Sequence, residues 1–292
     1  ASLVSAQMNE KPYDFSQFFD VNQEKIVFLE KVRQILPGGE YRQYLLILTS
    51  FYLRFYTRSD ESDTNDLEEI TKLPHCDLIS LSSLDEITFR FTYINNSIYT
   101  ITTQNSEMNF IETITQTLSH IIPESRIAKI FSNNQIEHQF DRQFDDVQLR
   151  YQALHVWCGK PFPNQDLLQA LNRYLNKRPI SIDLGIISDY SFDVPILLDS
   201  LQMQPLIQTI IVPFRPNSNF YQIISAFLPQ SIYMKHLVIH DKVPNSFYDT
   251  IINLYSADND SNESLSIENA KPISCHMSSI LSSIEFVNCI IS

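Results

Sequence analysis

The sequence predicts an α+β chain of two larger parts. The first is an antiparallel β-barrel with a C-terminal helix. The second is a repeating strand–helix array, reached through a helical connector. Three observations carry this prediction. Between residues 24 and 103, short runs with period-two alternation are separated by turn residues. From Ser106 to Pro123 the apolar residues switch to helical spacing. Beyond Ile180, β-like segments recur with helix-like stretches between them.

The first twenty residues are polar with scattered aromatics, Tyr13, Phe15, Phe18 and Phe19, and read as an arm that docks onto the first domain. EKIVFLEKVRQIL then leads into Pro37-Gly38-Gly39-Glu40 and YRQYLLILTSFYLRFYTR. Two adjacent glycines between β-rich runs mark a hairpin, and Thr49-Ser50 marks a second break, so three strands in meander order are expected. Residues 59–69, SDESDTNDLEE, read as a solvated acidic loop. Further strands follow through the alternation Ile87-Thr88-Phe89-Arg90-Phe91 and through SIYTITTQ, with Asn95-Asn96 as the turn between them.

Ser106 is the expected N-cap of a helix whose stripe is Met108, Ile111, Ile114, Leu118 and Ile121, with Phe110 alongside; Pro123 ends it. About seven short strands and one closing helix is the element order of a pleckstrin-homology (PH)-like barrel, in which the helix plugs an open end. Residues 124–178 are more polar and helical, with helices expected over Arg142–Trp157 and Asp166–Tyr174 and a firm break at Gly159-Lys160-Pro161-Phe162-Pro163.

The array is the strongest internal signal. Its β-like segments are ISIDL, TIIV, HLVI, SLSI and SIEF, with leading apolar positions Ile182, Ile210, Leu237, Leu265 and Ile284. The steps between these positions are 28, 27, 28 and 19 residues. DVPILLDSLQ, NFYQIISAFL, SFYDTIINLY and CHMSSILSS supply the intervening helices. A period near 28 fits a leucine-rich-repeat solenoid, whose units bury their apolar faces only by stacking. Alternation points Ser181, Asp183, Lys235, Val238, Ser266 and Glu285 outward, as candidate partner-binding positions on the concave face. The end, FVNCIIS, is apolar rather than a polar cap, so the array is expected to continue beyond Ser292. The expected domains are thus an arm (1–20), a PH-like domain (21–123), a linker (124–178) and repeats (179–292).

Composition limits the function. A net charge of −13 argues against nucleic-acid binding by bulk charge, and any contact with anionic lipid needs a local basic patch. No apolar run approaches the roughly 18–20 residues of a membrane span. Four scattered cysteines fit a reduced, cytoplasmic setting better than a disulfide framework. With four glycines and no phosphate-loop, dinucleotide or nucleophile-elbow motif, the chain reads as non-enzymatic and without a cofactor. His75-Cys76, His155-x-x-Cys158 and Cys275-His276 fall in three separate units and do not suggest zinc. The one candidate ligand site is the first hairpin. Lys31, Arg33 and Arg42 flank its turn, with Arg54 and Arg58 on the next strand, and together they are expected to give weak contact with anionic phospholipid.

Several segments resemble the CARMIL family, the capping-protein and myosin-I-linking scaffolds of the actin cortex. Tyr44–Tyr56 (YLLILTSFYLRFY) is similar to that family's L-A-L-T-x-x-R-L-F-L strands. The helix ending His120-Ile121-Ile122-Pro123 and the stretch from Tyr151 through Gly159-Lys160-Pro161-Phe162 resemble its helix end and linker, although the family's linker Cys is displaced here to Cys158. The resemblance covers roughly residues 21–292 and implies a scaffold at the cell cortex, with membrane or protein contact through the PH-like unit and a repeat platform for protein partners. The family's capping-protein motif has no counterpart in these residues. Two further expectations stand beside this one: pairing with a second copy of the chain, and a regulatory repeat protein that binds a protein ligand or GTPase while its PH-like unit is purely structural.

Overall fold

The structure is a computed structural model that describes residues 15–20, 23–58, 67–103, 110–131, 145–185, 191–212, 220–228, 235–239, 247, 249 and 283–286. The chain divides into two compact units, Ala1–Asp141 with Val156–Lys160, and Arg142–His155 with Pro161–Ser292.

The first unit is built on a seven-stranded antiparallel sheet. Its strands are β1 (Ile26–Ile35), β2 (Tyr41–Thr49), β3 (Tyr52–Arg58), β4 (Leu67–Pro74), β5 (Leu78–Ser83), β6 (Thr88–Tyr93) and β7 (Ile98–Thr103). The hydrogen-bonded order is β4-β3-β2-β1-β7-β6-β5, so two meanders meet where β1 pairs with β7. The β1–β2 turn needs its glycines: Gly38 and Gly39 take φ of 102° and 85°, which side chains with a Cβ rarely adopt. That turn closes through Leu36 N–H to Glu40 O and Gly39 N–H to Leu36 O.

The pleat sorts residues between two faces. Phe28, Val32, Leu46, Leu48, Phe55, Phe89, Phe91 and Ile101 point inward and are buried. Helix α1 (Phe110–Ser119) closes over them. Its Phe110 ring lies 5.1 Å from both Phe28 and Phe89 and 6.1 Å from Phe91. Helix α2 (Glu124–Ile130) packs on β5, with Arg126 donating to the carbonyls of Cys76 and Leu78. It groups with the barrel and not with the connector expected from residue 124.

A further sequence expectation changes in this unit. The segment 59–69 is not all loop: Leu67, Glu68 and Glu69 belong to β4, a strand that alternation alone did not reveal. Residues 59–66 lie outside the described residues. The N-terminal aromatics dock as expected where they are described. Phe15 and Phe19 are buried against Leu45, Ile47 and Tyr56 on the outer face of the sheet.

The second unit holds α3 (Asp145–Trp157, through His155), α4 (Gln165–Leu175), α5 (Val194–Leu201) and α6 (Phe220–Phe227). Its parallel sheet has the order β11-β10-β9-β8, where β8 is Ser181–Asp183, β9 Thr209–Val212, β10 His236–Ile239 and β11 Ser283–Phe286. α4 begins at Asn164, whose side chain accepts from Asp166 N–H, and α5 begins at Asp193, which accepts from Ile196 N–H. The residues expected to lead successive units come into register: Ile182 opposite Ile210, Ile210 opposite Leu237, and Leu237 opposite Ile284. The expected strand around Leu265 is not between the last two. β10 pairs directly with β11, so one interval of 284 − 237 = 47 residues replaces the expected steps of 28 and 19. Residues 251–282, which contain that segment, lie outside the described residues.

Candidate functional site

Cross-strand register decides which cations of the first unit share a surface. Residues directly opposite each other in an antiparallel pair point to the same face. One outward row runs Gln43–Arg33–Thr102–Thr88. The next runs Tyr41–Ile35–Thr100–Arg90–Ser82, and a third begins Leu45–Lys31. Lys31, Arg33 and Arg90 are all exposed on this face; the first two rows hold no acidic residue, while the third continues from Leu45 to Tyr56 and Glu69, whose carboxylate pairs with Arg54. Strand spacing puts the Arg33 and Arg90 Cα atoms roughly 12 Å apart. Thr88 and Thr102 lie between them, their hydroxyls 3.4 Å apart.

Of the other expected lipid contacts, register sets Arg54 and Arg58 on the same side of the sheet as Lys31, and Arg42 on the opposite one. Arg42 is exposed but stands opposite Gln34, one residue out of step with Arg33, so the pleat turns it to the other side of the hairpin. Arg58 lies in β3 opposite Leu67. Arg54 corrects the sequence reading most clearly, because its side chain is 1% exposed and cannot reach a ligand. Its guanidinium is forked onto Glu24, Nε to Oε1 at 2.9 Å and Nη2 to Oε2 at 2.6 Å, and Nη1 pairs with Glu69. The Phe19 and Tyr52 rings lie against it at 4.5 and 4.9 Å. Tyr56 Oη donates to Glu69, and Thr49 Oγ1 donates to Glu24.

Burial pushes Arg54 towards losing its proton, but hydrogen bonds and charge from Glu24 and then Glu69 outweigh it and hold the proton more tightly than usual. Burial also raises the Tyr56 phenol and pushes Tyr52 up to about 12. Lys72, 3.9 Å from the Tyr52 ring, is lowered by burial and then by the Arg54 charge.

Arg90 escaped the sequence reading although its signal was present: it stands between Phe89 and Phe91, both buried, so it must face out.

In the second unit, register aligns two columns of residues across the parallel sheet. One is Ser181–Thr209–His236–Ser283 and the other Asp183–Ile211–Val238–Glu285. Ser181, Asp183 and Val238 therefore lie on one face as expected, and Glu285 takes the matching register position. Lys235 does not, because it precedes β10 and shares parity with buried Leu237; His236 holds that place. Ser266 lies outside the described residues.

No protein-family model matches the chain, and no curated protein matches it. Solved structures do resemble part of it. The Slm1 PH domain in complex with inositol-4-phosphate is 12% identical, with 28% of this chain and 84% of that one covered and a TM-score of 0.24. The C-terminal domain of an unknown protein from Leishmania infantum is 15% identical, with 36% and 94% covered and a TM-score of 0.27. The DH/PH fragment of PDZRhoGEF in complex with human RhoA is 12% identical, with 36% and 31% covered and a TM-score of 0.28. The likeness to PH-domain structures spans about a third of this chain, and the CARMIL resemblance has no counterpart among these matches.

Proposed function

We propose that this chain is a non-enzymatic scaffold whose first unit contacts an anionic membrane surface and whose parallel sheet presents its outward columns to a protein partner. The observation that carries the first half is the gathering of Lys31, Arg33 and Arg90, all exposed, on one face of the sheet whose nearest row carboxylate, Glu69, is already paired with Arg54, in a chain of net charge −13. An acidic molecule that keeps one cationic face concentrates its attraction for anions there. Cations near an anionic leaflet each add about 1 kcal/mol.

The test is co-sedimentation of the chain with vesicles of phosphatidylcholine containing phosphatidylserine or phosphoinositide. Replacing Lys31, Arg33 and Arg90 together by Gln is expected to abolish binding at 0.1 M salt, whereas Arg42→Gln leaves most of it. Failure of the unaltered chain to bind either vesicle overturns the membrane half. The alternative is then a recognition protein, with a protein ligand or GTPase held on the column Asp183–Ile211–Val238–Glu285 and the first unit purely structural. That column places carboxylate residues at its ends and apolar ones between, which favours a partner with basic and apolar side chains. A leucine-rich-repeat identity for the second unit, and a CARMIL-like place at the actin cortex, are the finer forms of this proposal; the periodicity supports the one and the sequence resemblance the other.

A further inference from the structure

Ser82 stands directly across from Arg90 on the same outward face. It is half-buried near the end of β5, the last strand in the sheet order, and no further strand pairs with β5 among the described residues. The hairpin that follows supplies Asp85 and Glu86 three and four residues on, both exposed. Asp85 is held in place: its Oδ1 accepts from the N–H groups of Ile87 at 2.9 Å and Thr88 at 2.7 Å. The neighbouring Ser83 is the natural competitor, but its Oγ donates to Asp85 O and its register partner is the inward Phe89. Of these two serines, Ser82 is the one that combines an acidic stretch on its C-terminal side with an arginine across the strand.

We propose that Ser82 is a phosphorylation site for an acid-directed serine kinase and that its phosphate pairs with Arg90, removing most of the cationic character of this face. The inference rests on the same face as the membrane reading and names its regulation. In the modification, Ser82 Oγ forms a bond to the γ-phosphorus of ATP. The bond from that phosphorus to the ADP oxygen breaks, ADP leaves, and the hydroxyl proton passes to the kinase's base. Side chains directly opposite in an antiparallel pair have Cβ atoms about 4.5–5.5 Å apart, within reach of a guanidinium–phosphate pair. The phosphate brings about −1.5 to −2 at neutral pH, so the three cations fall to a net charge of roughly +1 to +1.5.

The experiment treats the full chain with an acid-directed serine kinase and ATP, and maps the product by mass spectrometry. Ser82 is the expected acceptor. Asp85→Asn, which keeps Oδ1 as an acceptor for the turn, is expected to slow the reaction. A 31P titration then reads the pairing: the second phosphate ionisation should lie lower than in the same product carrying Arg90→Gln. On vesicles, the modified chain should bind about 30-fold more weakly, from roughly two charges lost near the surface. A Ser82→Ala chain treated with the kinase should keep its binding. Phosphate found on Ser83 and not on Ser82, no modification, or an ionisation unmoved by Arg90→Gln would each overturn the proposal. If the unmodified chain does not bind vesicles, the membrane reading fails, while the mapping and the titration still decide whether Ser82 and Arg90 form the pair.

Discussion

Arg54 and His75 show how much two buried polar residues determine in the first unit. Arg54 holds Glu24 and Glu69 together beneath the Phe19 ring, so the N-terminal aromatics and the β3–β4 pair share one ion network. Removing one partner of a buried pair strands the other charges, and this costs more than the intact pair contributes. Arg54→Ala is expected to lower unfolding stability by about 3 kcal/mol, read by urea denaturation, with vesicle binding of the folded fraction unchanged. A selective loss of vesicle binding at full stability would instead return Arg54 to the list of ligand contacts.

His75 sits in the 3-10 turn between β4 and β5. Its Nε2 lies 3.0 Å from Thr49 O and must carry the proton, since a carbonyl can only accept. Nδ1 has no hydrogen-bond partner among the described residues. Burial lowers its ionisation to about 4 from the ordinary 6.5, against a smaller upward pull from the Thr49 carbonyl. Between those values the unfolded chain binds more protons than the folded one. His75 therefore destabilises the fold progressively as the pH falls from 6.5 towards 4, by a few kcal/mol, roughly 2–3, at the lower end. His75→Gln retains an N–H donor and is expected to remove most of that fall between pH 7 and 4.5; an unchanged pH profile would show that other groups cause it.

At the scale of elements, strand edges and registers do the sorting. Among the described residues β8 ends the parallel sheet, and the backbone groups on its free side would otherwise be open to pairing with another chain. Tyr174 on α4 covers them: its Oη donates to Ser181 O at 3.1 Å and accepts from Asp183 N–H at 3.2 Å. One hydroxyl thus stands where a neighbouring strand would be. Tyr174→Phe is expected to cost about 1–2 kcal/mol and to promote self-association, measured by thermal melting and light scattering. A melting temperature and scattering equal to those of the unaltered chain would deny Tyr174 this role. The α3 helix is fixed in the same unit by Arg150, which reaches the Asp199 carboxylate at 2.9 Å, and by Tyr151 Oη, which accepts from Asp193 N–H.

For the whole molecule, the net charge of −13 works against the cationic face. At 0.01 M salt the screening length is about 30 Å, so a membrane senses the entire acidic chain; at 1 M it is about 3 Å and even the local patch is screened. Vesicle co-sedimentation repeated from 0.01 to 1 M salt is therefore expected to peak near 0.1 M, where the screening length of about 10 Å is close to the size of the patch. A steady fall from the lowest salt would mean that the patch alone governs the approach.

The sequence by itself determined the element order. Period-two runs, Gly38-Gly39 and the α1 stripe gave the first unit, and the spacing of Ile182, Ile210 and Leu237 gave the parallel strands, because backbone sterics and side-chain periodicity act locally. It missed β4, whose Leu67-Glu68-Glu69 start looks like the acidic loop before it until Arg54 and Tyr56 are seen to hold Glu69. Only the tertiary structure decided which cations meet. A one-residue change of register moves a side chain to the opposite face, and so Arg42 parted from Arg33 while Arg90, far away in sequence, joined it across β7. The same long-range packing enclosed Arg54 and set β11 beside β10. Pairings between distant segments depend on which faces bury together, and no local pattern in the chain records that.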